Sequence, residues 1–143
     1  DFFLRPSQRT PERLETPGEN VDHERFLEEV LRPLREGRPV SYRPWSCRTQ
    51  SFAEPRPLMP ARLTIVEGAY CLHPALRGFY DLRVVLTAPL SVRLSRLRAR
   101  EGGNFPNYPA KWIPLEDAYF SACAVERCAD LVLRPPDLPQ GAP

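Results

Sequence analysis

The chain has 143 residues, 42% of them hydrophobic and 27% charged, a balance that suits a globular domain and excludes a low-complexity polymer. Twenty basic residues against 18 acidic ones leave a formal net charge of +2, too near neutrality to imply a nucleic-acid partner. No apolar run approaches the ~18 residues of a membrane span, so no membrane partner is expected.

The opening DFFLRPSQRTPERLETPGEN starts as a strand end at Phe2, Phe3 and Leu4 and becomes a polar, proline-bearing loop. Asn20 or Asp22 is placed to cap the next helix, DHERFLEEVLRPLREG, since a short polar side chain there accepts from an otherwise unpaired N–H. Phe26, Leu27, Val30, Leu31 and Leu34 recur at helical spacing and form one apolar stripe. Pro33 should kink this helix, and Gly37 is a plausible stop. PVSYRPWSC reads as extended, and a proline-rich connection follows.

LTIVEGAY is the most apolar short segment. Leu63, Thr64, Ile65 and Val66 read as a buried strand, which ends in an acid, Glu67, and then Gly68. An unpaired buried charge costs several kcal/mol or more, but the carboxyl end of a strand in an open α/β sheet is where ligands and metals bind. A short helix near Pro74 to Tyr80 follows, then a strand in DLRVVLTA and a helix in PLSVRLSRLRARE, with Pro89 near its first turn. Gly102 and Gly103 interrupt the chain before PAKWIPLEDAYFSACAVERCA, helical and broken near Pro114, and DLVL closes as a strand. Alternating strands and helices predict an α/β fold with a largely parallel sheet. One domain is expected over 1–134, followed by a frayed tail over 135–143.

Lys111 is the only lysine, so the basic side is nearly all arginine. The four cysteines, Cys47, Cys71, Cys123 and Cys128, match no metal or redox spacing. Reduced thiols and a cytoplasmic location are expected, with Cys71 and His73 as packing and loop residues. Asp1, Glu67 and the series Arg93, Arg96 and Arg100 are the candidates for chemistry. The three arginines share a helix face beside an apolar one made by Leu90, Leu94 and Leu97. Two carboxylates at strand ends plus an arginine helix suit phosphoryl transfer: one acid accepts the substrate's proton, the other helps hold Mg²⁺, and the arginines meet phosphate charge.

Here the sequence resembles the uridine kinase and pantothenate kinase branch of the P-loop kinases. DFFLRPSQ is similar to that branch's D-x-F-[LY] segment, and NVDHERF to its N-[FY]-D-H-P-x-[AS]-F segment. TIVEGAY resembles V-[IL]-x-E-G, VRLSRLRARE resembles R-L-x-R-R-x-x-R-D, and CADLVL resembles Y-A-D-x-[IV]-[IV]. The order is the same and the resemblance covers nearly the whole chain. It implies a three-layer P-loop NTPase-like fold, ATP and Mg²⁺ as cofactors, and transfer to the hydroxyl of a small molecule, above all a nucleoside. It implies Asp1 as catalytic base and Glu67 near the metal and phosphates. Asp22, with His23 beside it, would hold the sugar, and Arg93, Arg96 and Arg100 would lead into a lid over about 100–115.

Two departures accompany it. The loop G-x-x-x-x-G-K-[ST] is absent, and with it the first strand of the fold. The sequence begins directly on Asp1 and an apolar triplet, so a longer chain carrying that loop upstream is expected, and the isolated piece should be inactive. The base-reading Y-D-x-x-x-H keeps Tyr42 but has Arg43 and Cys47 in place of the acid and the histidine, and a thiol is a weak hydrogen-bonding group. The substrate is therefore a nucleoside other than uridine or another small alcohol as readily as uridine itself. A homo-oligomer is compatible with the sequence. The alternative is a non-catalytic module that binds a nucleotide or a protein.

Overall fold

The structure is a computed structural model, and it describes residues 1–134; the expected tail over 135–143 lies outside the described residues. The chain forms two compact units, Asp1–Tyr80 and a second that begins at Asp81. The architecture is mixed α/β. Among the described residues the strands make three separate two-stranded ladders, two antiparallel and one parallel, where one largely parallel sheet is the sequence expectation.

In the first unit, α1 (Pro11–Glu15) is capped by Thr10, and a continuous helical run carries the core stripe. It starts as α2 (His23–Phe26), widens to a π turn over Leu27–Leu31 and ends as α3 (Arg32–Arg35). Val30 and Leu31 are buried together with Leu4, Val40, Leu72 and Leu76, each full burial contributing about 1.5–3 kcal/mol. The π turn answers the kink expected from Pro33. A proline in a regular helix clashes with the carbonyl four residues back and lacks the N–H to bond it. The Arg32 N–H instead reaches the Leu27 carbonyl, five residues back. The second unit repeats the device: a π turn over Tyr108–Trp112, with the Ile113 N–H bonded to the Tyr108 carbonyl, precedes Pro114 at the same offset.

Strands β1 (Val40–Tyr42) and β4 (Arg56–Leu58) pair antiparallel with Tyr42 opposite Arg56. Between them, β2 (Trp45–Ser46) and β3 (Ser51–Phe52) form a hairpin. The strand expected over Leu63–Val66 does not form. Leu63 is 75% and Ile65 80% exposed, and no described strand pairs with the segment. A short apolar run has no reason to adopt a ladder without a neighbour to satisfy its backbone groups. Over the expected helix near Pro74 to Tyr80, the chain makes turns and a 3₁₀ segment, Arg77–Phe79.

In the second unit, β5 (Val84–Leu86) and β6 (Leu131–Leu133) pair in parallel. Between them lie α4 (Leu90–Glu101), α5 (Ile113–Ala122) and α6 (Val125–Cys128). Val85, Ile113, Tyr119 and Val125 are buried, whereas α4 buries no residue fully. The stretch expected to serve as a lid holds the end of α4, a 3₁₀ turn over Gly102–Asn104 and the second π turn. Gly102 sits at φ 54°, where a side chain would be strained.

The parallel ladder is pinned at its start by a forked pair. Arg83 Nη2 donates to Asp130 Oδ1 at 2.7 Å, Arg83 Nε to Oδ2 at 3.0 Å, and the Arg83 backbone N–H to Oδ2 at 2.8 Å. The side-chain bond from Arg83, then the backbone bond, pulls the Asp130 carboxyl down to about 2 from 3.8. The carboxylate form is therefore favoured by folding, and its contribution is present above about pH 3.8 and lost as the pH falls through about 2. Chemical denaturation of Asp130→Asn is expected to lose that part of the wild-type acid dependence, with little difference between the proteins' slopes above about pH 5.

Candidate functional site

The register of β1 with β4 builds the first cluster. Directly opposed residues in an antiparallel pair present their side chains on one face, so Tyr42 and Arg56 reach the same acceptor. Tyr42 Oη donates to Asp1 Oδ2 at 3.1 Å and Arg56 Nη1 donates to the same oxygen at 3.0 Å. Oδ1 of Asp1 accepts no hydrogen bond from the described residues. The Asp1 backbone is held equally firmly: its carbonyl accepts from the Trp45 N–H at 2.9 Å and from Arg25 Nη2 at 3.1 Å. Beneath it Phe2 stacks on Tyr42, centroids 5.2 Å apart, and meets Phe26 edge-on at 4.9 Å.

Arg25 ties this floor together. Its guanidinium lies 4.4 Å from the Phe2 ring centroid and 5.1 Å from that of Phe52, and Nη1 donates to the Arg43 carbonyl at 2.8 Å. On its other side it meets Glu29 at 3.1 Å and Asp22 at 3.4 Å. Asp22, only 2% exposed, caps α2 by accepting from the Arg25 backbone N–H at 3.3 Å.

Of the residues singled out by sequence, the first unit thus joins Asp1 to Tyr42. Asp22 and His23 lie at the start of α2, with Asp22 turned into the protein. Cys47 is exposed in the β2–β3 turn, 3.9 Å from Arg9 Nη2. Trp45 packs edge-on against Phe52 at 5.1 Å. Glu67 is exposed and makes no hydrogen bond or ion pair with the others; the central strand expected to carry it is the one that does not form. Gly68 beside it has φ 155°, a conformation that suits glycine. All four cysteines are free thiols, and burial pushes Cys71 upward from its ordinary pKa.

In the second unit a cavity of about 300 Å³ is lined by Arg93, Arg96, Leu97, Arg100, Tyr108, Ile113 and Glu116. The i, i+3, i+7 spacing on α4 is what brings the three guanidinium groups to one wall. Arg93 is engaged by Glu116 at 3.6 Å and Asp117 at 3.5 Å, and Arg100 by Glu101 at 2.6 Å. Arg96 has no ion-pair partner among the described residues. Burial pushes the Glu116 carboxyl upward, against the pull of Arg93. A cavity lined by one guanidinium without an ion pair and two that are paired can take an anion.

Sequence reasoning did not find Arg25 or Arg56, nor the packing of His73 on His23. Arg56 lies in a proline-rich connection with no periodic signal, and only strand register reveals it. No helix among the described residues is long and apolar enough to cross a membrane. No protein family model matches the chain.

Proposed function

We propose that this chain takes part in ATP-dependent phosphoryl transfer of the P-loop kinase class to the hydroxyl of a small molecule, above all a nucleoside. The observation that carries the proposal is the bond between Asp1 and Tyr42. The residue expected to take the substrate proton and the residue expected to meet the substrate are 41 positions apart, and the second donates a hydrogen bond to the carboxylate of the first. The ordered motif series and the arginine-lined cavity support the same reading.

The residues present suit the groups this reaction needs. Glu67 offers an exposed carboxylate, the hard oxygen ligand that Mg²⁺ takes, and Arg96 offers an uncommitted guanidinium for a phosphate oxygen. Bound MgATP would supply the phosphoryl group. Tyr42 and Arg56 occupy Oδ2 of Asp1 and so leave Oδ1 as the oxygen that would accept the proton of a substrate hydroxyl. The clamps on the Asp1 carbonyl fix where that oxygen lies, which is how positioning contributes to rate. On this reading the stacked rings of Phe2 and Tyr42 and the exposed thiol of Cys47 are the groups offered to a base or a comparable ring.

The coding sequence immediately before the Asp1 codon tests this directly. A G-x-x-x-x-G-K-[ST] on a strand-to-helix turn within about 80 residues is the expected result. An unrelated domain or a start codon there would favour the non-catalytic binding module instead.

A further inference from the structure

The two histidines of the chain lie face to face. His23 opens α2 and His73 sits in the turn beyond Glu67, with ring centroids 4.0 Å apart and planes 16° from parallel. Both are buried, 8% and 7% exposed. One carboxylate serves both: Glu19 Oε2 lies 2.9 Å from His23 Nε2, and Glu19 Oε1 lies 3.4 Å from His73 Nε2.

Three donor groups this close invite comparison with a metal site, but their geometry suits protons better. Nearly parallel rings aim their in-plane lone pairs side by side, whereas ligands of one ion must converge on it. His73 Nδ1 also accepts the backbone N–H of Ala75 at 3.2 Å, which puts the ring proton on Nε2, facing Glu19. A metal at Nε2 would need that proton on Nδ1, where the Ala75 N–H already points.

We propose that Glu19, His23 and His73 form a proton-operated latch that fastens the turn at 73–77 to the start of α2 at neutral pH and lets it go when His73 is protonated. The charged groups facing the pair are Glu19, Glu24 and Arg13. Glu24 Oε2 lies 3.8 Å from His23 Nδ1. Arg13 holds Glu24 at 2.7 Å and approaches Glu19 at 3.7 Å.

His23 Nδ1 has no hydrogen-bond partner among the described residues and faces Glu24. A proton added to His73 must enter at Nδ1. There it displaces the Ala75 N–H and sets a cation face to face with the His23 ring. Burial, and then the charge of His23, hold His73 below its ordinary value of 6.5, although Glu19 pulls the other way. A folded-state value below the unfolded one means that the unfolded chain takes the proton more readily. The latch therefore stabilises fully above about pH 6.5 and loses its contribution as the pH falls below it. The latch does not depend on the kinase reading. If that reading holds, it joins the segment carrying Glu67 to the helix start carrying Asp22.

Amide exchange read by NMR tests it on the whole chain without any activity assay. The protection factor of the Ala75 amide, corrected for intrinsic exchange, should fall about tenfold or more between about pH 7.5 and about pH 5, while that of Tyr119 in the second unit holds. His73→Asn keeps an acceptor for the Ala75 N–H but does not titrate, so its protection should not change with pH. His23→Gln removes the neighbouring ring that holds His73 down, so the midpoint of release should move to higher pH than in the wild type. Unchanged protection of Ala75 in the wild type, or an equal loss in His73→Asn, would overturn the proposal. So would Zn²⁺ added at neutral pH that shifts both imidazole spectra and raises protection, since that would make the trio a metal site.

Discussion

Asp1→Asn is expected to lower phosphoryl transfer by the natural protein about 10²–10⁴-fold, the range a positioned general base supplies, with little change in folding. The amide keeps an oxygen to accept from Tyr42 and Arg56, which hold Oδ2 at 3.1 and 3.0 Å. It has no carboxylate oxygen to take a proton. The loss should lie mainly in kcat, because the base acts in the transition state rather than in binding. Tyr42→Phe removes one of the two bonds to Oδ2 and is expected to weaken transfer far less, since Arg56 still orients the acid. Steady-state kinetics on the two variants, with their unfolding curves as a control, separates a proton acceptor from a merely structural carboxylate. Equal activity of Asp1→Asn and the parent would remove Asp1 from the chemistry.

Arg25→Ala is expected to produce the largest loss of stability of any single substitution in the first unit, about 3–5 kcal/mol in denaturant unfolding. Asp22 is 2% exposed and Arg25 is the cation beside it, so truncation strands a buried carboxylate. The carbonyls of Asp1 and Arg43 lose their guanidinium donor at the same time, and the aromatic faces of Phe2 and Phe52 lose a cation. The double variant Asp22→Asn with Arg25→Ala should recover part of the loss, because the stranded charge is gone. Arg25→Lys should recover little, since an ammonium cannot span two carbonyls and two carboxylates as the planar fork does. A destabilisation of Arg25→Ala below about 1 kcal/mol would show that the network is a solvated surface arrangement.

What was legible in the sequence was local. The stripe of Phe26, Val30 and Leu31, the cap at Asp22, the role of Pro89 before α4 and the closing strand over Leu131–Leu133 all follow from spacing and backbone chemistry within a few residues. Pro33 and Pro114 signalled disturbed helices correctly, but not that each would be absorbed by a π turn, because that choice depends on which carbonyl the preceding N–H can reach. The strand expected over Leu63–Val66 failed for the opposite reason. β-propensity describes how well a residue fits a neighbour's pleated surface, and no strand among the described residues pairs with that segment.

The candidate site was legible as a set of residue types and not as a geometry. Asp1 and Tyr42 were both singled out, yet the oxygen of Asp1 on which Tyr42 and Arg56 converge depends on the register that sets those two residues opposite each other. Arg25 reads in sequence as one more charge on a helix, and only the tertiary structure makes it the tie between a cap, two carbonyls and two rings. The pairing of His73 with His23 is likewise a contact across 50 positions, carried by no motif. Arg93, Arg96 and Arg100 are the exception: helical periodicity alone places them on one face, and the cavity on α4 collects them.

The most direct measurement is transfer of label from γ-³²P-ATP, with Mg²⁺, by the full product of the gene, across a panel of nucleosides and small alcohols. Labelled nucleoside monophosphate, abolished by Asp1→Asn, is the result expected of a kinase with this base. Nucleotide or nucleoside binding without any transfer across the panel would contradict it and leave a binding module in its place.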